Sequence, residues 1–346
     1  MEPKVEQNSS ISSFRVMRAP LVIATAFLVA ELAFRLVNFG PHSMLNWKRY
    51  NPQGILTSEL VEAADHPDIS WKLRPNVNEI YKARPFSTNG LGLRGSEISV
   101  KKDSSVKRIA ILGRSLTMGS GVGDGEDYPN VLAGMLAEWK PGTYEVLNCA
   151  VGGYSPKQII THYEEYISEL DPDIIFFMFS KKDLSRNKLQ GIPPLADAQP
   201  ELTNLNFYLS HAFLYESSRL IVKKFTNSFI STDWNERANE VREAVSDSVS
   251  NATLLADFFQ RRNQEEIDCY VFMPKRGKVD PGEGPESIAR WAEDQSGVTY
   301  LDINDHLKAA KPENLHIYFG DTHPSADMHR VYAEAIFKKF VSGEVN

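Results

Sequence analysis

The sequence predicts an α/β fold: a flavodoxin-like three-layer α/β/α sandwich with a five-stranded parallel sheet, preceded by one N-terminal transmembrane helix. From residue 106 onward, short runs of β-forming apolar residues alternate with segments of helical periodicity, which is typical of a parallel sheet covered on both faces. Five such runs favour the flavodoxin-like arrangement. An apolar segment near the N-terminus is long enough to cross a bilayer.

The predicted strands are the buried apolar runs, and the predicted helices lie between them. The strands cover residues 107–112, 144–149, 173–179, 267–273 and 298–302. The helices cover residues 128–139, 156–170, 251–263, 284–294 and 325–341. The gap between the third and fourth strands is too long for one helix, so residues 184–250 are predicted to form a helical insertion, with helix around 207–224. Such an insertion either caps the site or is a peripheral addition.

The apolar N-terminal segment covers residues 19–39. It contains two charges, Glu31 and Arg35, which are four residues apart and can pair on one helical face. Two arginines before the segment favour a cytoplasmic N-terminus, although two basic residues beyond it act against that orientation. We therefore predict a cytoplasmic tail over 1–18 and an anchor over 19–39, with an exported body. A cleaved signal peptide and a buried core helix are the alternatives.

Residues 40–104 differ in composition from the rest of the chain. They are punctuated by proline and glycine and lack strong periodicity, and Asn89-Gly90 with Gly92 predicts a tight turn. We interpret this region as a linker and N-terminal extension that packs on a catalytic domain formed by residues 105–346.

The composition argues against some classes of protein. The net charge is −7 and no extended basic block occurs, which argues against a nucleic-acid partner. Cys149 and Cys269 lie in separate apolar runs and are predicted to be small buried hydrophobes, because a disulfide or metal site would need more ligands nearby. Neither a metal nor a cofactor is predicted.

Chemistry-bearing residues follow each predicted strand. Ligands of open α/β sheets bind at the carboxyl ends of the parallel strands, so these residues are expected to face one crevice. They are, in chain order, Gly113-Arg114-Ser115, then Asn148 with Gly152 and Gly153, then Lys181-Lys182-Asp183, and finally Asp321 and His323. A serine, a glycine backbone, cations and an Asp/His pair are the components of a serine hydrolase.

In their order and placement, these motifs resemble the SGNH/GDSL hydrolase superfamily, in particular its bacterial membrane-anchored members. The resemblance extends over nearly the whole chain, through "AELAFRL", "SWKLRPN…STNGLGLRG" and "ILGRSLTMGSGV". The family has four sequence blocks. The first, usually Gly-Asp-Ser, is matched by Gly113-Arg114-Ser115, and the glycine of the second is matched by Gly153. The third, usually Gly-x-Asn-Asp, is matched by Ser180-Lys181-Lys182-Asp183, and the fourth, an Asp/His pair before proline, by Asp321-Thr322-His323-Pro324. The resemblance implies the SGNH hydrolase fold.

The resemblance also implies roles for the residues of the site. Ser115 would be the nucleophile, His323 the base that takes its proton, and Asp321 the group that fixes the histidine tautomer. The oxyanion would be bound by the backbone N–H groups of Ser115 and Gly153, and by Lys182 where the family has asparagine. Candidate substrate-binding residues are Arg114, Asn148 and Asp183.

Three departures from the family pattern leave alternatives open. Arg114 replaces the usual aspartate beside the nucleophile, and a salt bridge with Asp183 is its preferred interpretation. Lys182 replaces the asparagine, and it substitutes as a donor, points to solvent or binds an anionic substrate group. The family aspartate usually stands three residues before the histidine, at the position of Gly320, rather than two. Asn148 alternatively satisfies backbone groups in the turn after the second strand.

The predicted function is a membrane-anchored serine esterase or O-acyltransferase. Its substrates would be acyl esters, chiefly acetyl esters, of envelope or exported polysaccharide, or another small ester. The resemblance implies a bacterial inner-membrane protein with a periplasmic catalytic domain, and polysaccharide biosynthesis or export proteins are candidate partners. The alternative is a catalytically degenerate protein that binds carbohydrate or assists polysaccharide assembly. A nucleotide-binding interpretation is disfavoured because "GRSLTMGSG" lacks the P-loop ending and the G-x-G-x-x-G spacing.

Overall fold

The computed structural model describes residues 9–45, 60–180, 183–184, 214, 250–275, 284–318 and 321–344. The N-terminal part contains two helices and two antiparallel hairpins: α1 (Ser9–Phe39), α2 (His42–Leu45), β1 (Val61–His66) with β2 (Ile69–Leu73), and β3 (Asn78–Tyr81) with β4 (Arg84–Ser87). Apart from three positions, the predicted insertion at 184–250 lies outside the described residues, as does nearly all of its predicted helix at 207–224.

Within the described residues, the central sheet has five parallel strands in the order β6-β5-β7-β8-β9. They are β5 (Lys107–Leu112), β6 (Tyr144–Asn148), β7 (Ile174–Met178), β8 (Asp268–Phe272) and β9 (Val298–Tyr300). Numbered along the chain, this is the 2-1-3-4-5 order of flavodoxin-like sheets. The predicted fold class is therefore confirmed, and every predicted strand lies within two residues of its expected bounds.

Helices cover both faces of this sheet. They are α3 (Ser115–Met118), α4 (Tyr128–Trp139), α5 (Pro156–His162), α6 (Asn251–Gln264), α7 (Pro285–Glu293), α8 (Asn304–Ala309) and α9 (Ala326–Glu344). The single helix predicted over 156–170 is divided, since α5 continues as a π-helical turn over Tyr163–Ile167 and a 3₁₀ turn over Ser168–Leu170. A hydrophobic periodicity does not distinguish these backbone patterns, because all three place apolar residues on one side.

The core has two layers because alternate residues of each strand point to opposite faces. On β5, Ala110 and Leu112 pack into the layer that contains α5, α6 and α7. Ile109 and Ile111 pack into the opposite layer, which contains α4 and α9. Both layers are apolar along residues 109–112 of β5 and all of β7, which explains why these strands read as continuous hydrophobic runs.

The hairpins of the N-terminal extension belong to the same core. Trp71 of β2, Tyr81 of β3 and Phe86 of β4 are buried within the layer that contains Ala110 and Leu112. The predicted tight turn is present, since Gly92 adopts a positive φ of 76° and its N–H donates to the Asn89 carbonyl at 3.0 Å. The region therefore contributes regular structure that its weak periodicity did not indicate.

Helix α1 contains the predicted apolar segment. Its residues Pro20–Val37 are long and apolar enough to cross a membrane, a property that a signal sequence shares. The Arg35 Nε donates to Glu31 Oε1 at 2.7 Å, so the predicted pair of charges is formed. Arg35 also donates to the Ser43 carbonyl at 3.1 Å, which ties α2 to the end of α1.

Both cysteines are buried, as predicted. Cys149 and Cys269 are free thiols. Burial raises the pKa of each thiol, that of Cys269 to about 12. Neither thiol is therefore ionised near neutral pH, and both act as small core residues.

Buried His162 makes the fold sensitive to acid. Its ring packs between Tyr154 and Tyr166, and burial, with a smaller effect of the charge of Lys72, lowers its pKa to about 4. In the unfolded chain, the same imidazole binds a proton near the ordinary pKa of ~6.5. The free energy of unfolding therefore falls by about 3 kcal/mol as the pH is lowered from ~6.5 toward 4. We expect His162→Phe, which keeps the ring contacts, to lose about 3 kcal/mol less free energy of unfolding between pH 7 and pH 4 than the wild type does. Urea unfolding of both proteins at the two pH values measures it; equal losses would contradict the assignment.

Candidate active site

The nucleophile candidate lies on a sharp turn at the carboxyl end of β5. The strand ends at Leu112, and α3 begins at Ser115 two residues after Gly113. A Cβ on Gly113 would lie 2.0 Å from Thr117 Oγ1, so no larger residue fits where strand and helix meet. The helix ends after one turn at Gly119, which is left-handed with φ 80°. Ser115 is thus held at the edge of the sheet by a turn that two glycines permit.

The histidine and aspartate come from a third antiparallel pair of strands, β10 (His316–Tyr318) with β11 (Asp321–Pro324). His323 Nε2 lies 3.0 Å from Ser115 Oγ, and His323 Nδ1 lies 2.6 Å from Asp321 Oδ1. The spacing of two residues is explained by the strand, because residues i and i+2 of a strand point to the same face.

The second oxygen of Asp321 is held by a lysine that the sequence did not indicate. Lys82 Nζ donates to Asp321 Oδ2 at 2.7 Å and lies 3.3 Å from His323 Nδ1. Burial acts to raise the pKa of Asp321, but the hydrogen bond with His323 and the charge of Lys82 hold that pKa well below its usual range. Asp321 is therefore ionised, and it faces the ring of His323 as a carboxylate.

Gly153 lies in the loop after β6, which pairs with β5 in the sheet. Its φ of 86° is in the left-handed region that favours glycine, and an added Cβ would come within 3.2 Å of Trp71 Cζ2. Trp71 also donates from Nε1 to the carbonyl of Gly152 at 3.3 Å. The extension thus packs a buried indole against the loop predicted to supply an oxyanion donor.

Arg114 and Asp183 form a salt bridge, as the preferred interpretation of Arg114 expects. Asp183 is 2% exposed, and its Oδ2 also accepts the backbone N–H of Ser180 at 2.7 Å. The guanidinium beside the nucleophile is therefore compensated by a buried carboxylate. Lys182, the predicted third oxyanion donor, lies outside the described residues, as does Gly320.

Asn148 is occupied inside the protein. Its amide nitrogen donates to the Thr117 carbonyl at 3.1 Å and to Asp127 Oδ1 at 2.9 Å, and its Oδ1 accepts the N–H of Ala150 at 3.2 Å. The Oδ1 contact agrees with the interpretation in which Asn148 satisfies backbone groups in the turn after the second strand, whereas its amide nitrogen binds the chain between β5 and α4. Because both amide hydrogens are used and the residue is 2% exposed, these contacts do not favour the predicted substrate-binding role of Asn148.

The chain after the nucleophile is held by Arg94, a second residue to which the sequence assigned no role. Arg94 donates to the carbonyls of Met118 at 2.9 Å, Gly119 at 2.6 Å and Val122 at 2.7 Å, and its guanidinium stacks on the Phe86 ring at 4.7 Å. The Met118 and Gly119 carbonyls lie where α3 ends, and the Gly119 carbonyl also accepts the N–H of Val122 at 3.2 Å. A buried guanidinium thus fixes the path of the turn that carries Ser115.

The sequence partly indicates the contribution of Trp71 and Arg94 to the site, but not that of Lys82. Trp71 and Arg94 stand in "SWKLRPN" and "STNGLGLRG", the segments through which the family resemblance extends. Lys82 has no such signal. Its turn, Lys82-Ala83, lacks the glycine, asparagine or aspartate by which a two-residue hairpin loop is usually recognised.

No protein-family profile and no curated protein matches the chain. Several solved structures are similar to it. A lipolytic protein of the G-D-S-L family from Desulfitobacterium hafniense is 11% identical, with 67% of this chain and 98% of that chain covered and a TM-score of 0.39. A catalytic mutant of an acetylxylan esterase from Geobacillus stearothermophilus is 14% identical (69% and 96% covered, TM-score 0.41). The psychrotrophic esterase EstA from a Pseudoalteromonas species is 10% identical (69% and 100% covered, TM-score 0.40). At these TM-scores, the similarity assigns this chain neither an activity nor a substrate.

Proposed function

We propose that this protein is a serine esterase or O-acyltransferase that works through an acyl-enzyme on Ser115. The observation that supports the proposal is the unbroken chain of contacts from Asp321 through His323 to Ser115, with 2.6 and 3.0 Å between successive polar atoms. Nucleophile, base and orienting carboxylate in hydrogen-bond reach are the arrangement that activates a hydroxyl at neutral pH.

In the first half-reaction, His323 Nε2 takes the proton of Ser115 Oγ while that oxygen attacks the ester carbonyl. The C–O bond to the leaving alcohol then breaks, and the imidazolium returns the proton to the departing oxygen. In the second half-reaction, water or a sugar hydroxyl gives its proton to His323 and attacks the acyl carbon. The bond from that carbon to Ser115 Oγ then breaks, and the imidazolium returns the proton to the serine oxygen. Water yields a free acid, whereas a sugar yields a new ester.

The negative charge on the tetrahedral intermediate needs donors that are already in position. We assign this role to the backbone N–H groups of Ser115 and Gly153, with Lys182 in the place of the family asparagine. Loss of one such donor typically costs about 10²–10³ in rate. The Trp71 indole packed beside Gly153 supports this role, because it restrains the loop that carries the second donor.

The proposed substrates are acyl esters, chiefly acetyl esters, of carbohydrate. This choice rests on the sequence resemblance, and so does the proposed location in the bacterial inner membrane with the catalytic domain in the periplasm. The apolar helix α1 supports the membrane anchor. Proteins of polysaccharide biosynthesis or export are the proposed partners. The salt bridge between Arg114 and Asp183 favours the hydrolase over a degenerate binding protein with a cationic pocket, because it compensates the charge that such a pocket would use.

Covalent labelling tests the proposal. A fluorophosphonate probe is expected to attach one phosphonyl group to the peptide that contains Ser115, because the probe reacts with a serine activated by a neighbouring base. Ser115→Ala and His323→Ala should each abolish the label. Ser105→Ala, which changes an exposed serine, is the matched control and should label fully. Folded wild-type protein that takes up no probe, or a label that persists in Ser115→Ala, would refute the mechanism.

A further inference from the structure

The turn between β3 and β4 carries a buried cation into the candidate active site. Lys82 is 3% exposed, although lysine side chains are among those least often buried. Its ammonium forms an ion pair with Asp321, 239 residues further along the chain, at 2.7 Å. The hairpin itself is fixed in the core, since Tyr81 and Ser120 place their hydroxyl oxygens 3.1 Å apart and Phe86 packs edge-on against Tyr81.

The backbone of this turn is held in an unusual conformation. Tyr81 pairs with Arg84, so Lys82 and Ala83 form a two-residue loop, and their φ angles are 50° and 64°. Such loops need positive φ at both positions, and the usual solutions are asparagine, aspartate and glycine. Lys82 and Ala83 belong to none of these three residue types. Strained backbone of this kind persists where the surroundings hold it and is concentrated at functional sites.

We propose that Lys82 is a positioning residue of the triad, which holds the Asp321 carboxylate against His323 and keeps the imidazole neutral with its free lone pair toward Ser115. This inference rests on the proposed function. It makes the N-terminal extension a contributor to the catalytic centre rather than a linker.

The tautomer follows from the contacts. Asp321 Oδ1 and His323 Nδ1 are 2.6 Å apart, so one hydrogen lies between them. Because Lys82 keeps Asp321 ionised, that hydrogen is on Nδ1 rather than on the carboxylate. Nε2 then carries the lone pair, and it accepts the Ser115 hydroxyl hydrogen across 3.0 Å. Without the ammonium, the carboxylate oxygen Oδ2 would lose its partner and rotation of the carboxyl group would be less restrained.

The ammonium also opposes protonation of the base. Among the described residues, the charged groups that face the His323 ring include Asp321, from its own strand, and Lys82, from the β3–β4 turn, while Ser115 faces it from α3. Arg114, next to Ser115, is paired with Asp183. A carboxylate alone favours the imidazolium, and a cation 3.3 Å from Nδ1 counteracts it. His323 should thus remain an effective base to lower pH than in a triad without the lysine.

The test is the pH profile of Lys82→Met and Lys82→Arg. Methionine keeps most of the length of the side chain and removes its charge, so the acid limb of kcat/KM for p-nitrophenyl acetate is expected to move to higher pH by roughly one unit or more. The plateau should fall at least about 10-fold, the range of positioning effects around a reacting group. Arginine retains the cation and should keep the limb close to the wild-type position. Lys72→Met is the matched control, since Lys72 also pairs with a carboxylate, Glu62 at 3.1 Å, but at the surface.

The outcomes separate this inference from the proposed function. An acid limb that coincides in Lys82→Met and wild type would overturn the inference, even if the rate fell, because a merely structural role changes the rate without moving the limb. Fluorophosphonate labelling measured against pH gives the same readout for a variant with slow turnover. If wild-type Ser115 proves unreactive, the proposed function fails. In that case, the inference about Lys82 is tested by NMR titration of His323 in wild type and in Lys82→Met, and an unchanged midpoint overturns it.

Discussion

Ser115→Ala is expected to lower kcat for ester hydrolysis by about 10⁴–10⁶-fold, the range found when the nucleophile of a triad is removed. The reason is that the hydroxyl 3.0 Å from His323 Nε2 is the atom that would become acylated. Without it, only positioning and oxyanion stabilisation of a water attack remain. Stopped-flow and long-term assays of p-nitrophenyl acetate hydrolysis together cover this range, and they should be performed on protein whose circular dichroism is unchanged.

A double variant tests whether Ser115 and His323 act together. His323→Ala should cost nearly as much as Ser115→Ala, and the double variant should be no slower than Ser115→Ala alone, because the two side chains act as one unit. Additive losses would show that the histidine acts elsewhere. Ser105→Ala is the control for serine replacement, since Ser105 is exposed and bonded only locally to Asp103. Hydrolysis that survives in Ser115→Ala at the wild-type rate would remove the serine from the mechanism.

The central sheet was predictable because its central strands, β5 and β7, are buried on both faces. Strand β5 shows the reason most clearly, since five of its six residues are buried and residues 109–112 form an unbroken apolar run. Parallel strands with this property stand out against the amphipathic helices that connect them. The π-helical turn over Tyr163–Ile167 was not predictable, because it differs from an α-helix in backbone hydrogen bonding and not in the side of the helix that is apolar.

The site residues that could be predicted from the sequence are those that follow the predicted strands along the chain. Ser115 and the Asp321–His323 pair could be placed at one edge by topology alone, and the structure brings them into hydrogen-bond distance. Lys82 could not be found in this way. It lies in a hairpin outside the sheet, and its ion pair with Asp321 spans most of the chain. No local pattern indicates a contact of this kind.

The N-terminal extension serves three different parts of the candidate site. Trp71 packs on the loop of Gly153, Lys82 holds Asp321, and Arg94 binds the carbonyls of the turn after Ser115. Each contact comes from a separate element, namely β2, the β3–β4 turn and the segment after β4. Residues 60–100 therefore complete the site, and a fragment that begins at β5 would lack all three contacts.

Arg94→Ala is expected to lower the free energy of unfolding by about 3–5 kcal/mol, the cost of removing one partner from a buried ion pair. Arg94 is 2% exposed, and its Nε lies 3.6 Å from Oδ2 of Asp127, which is itself fully buried. Burial raises the pKa of Asp127, and the charge of Arg94 counteracts that rise. The variant would leave this carboxyl group without its cation and would remove the guanidinium donor of the Met118 and Gly119 carbonyls. Urea unfolding followed by tryptophan fluorescence measures the loss.

A surface arginine provides the matched control for this loss. Arg330 forms an ion pair with Asp327 at 2.9 Å, but its side chain is 60% exposed, so Arg330→Ala should cost less than about 1 kcal/mol. Arg94→Lys is the more informative variant, because a lysine keeps the charge but cannot donate to separate carbonyls from one planar group. We expect it to recover part of the stability and little of the esterase activity, since the turn that carries Ser115 would remain loosely held. A lysine variant with full activity would mean that charge alone, and not the fork of hydrogen bonds, fixes the nucleophile turn.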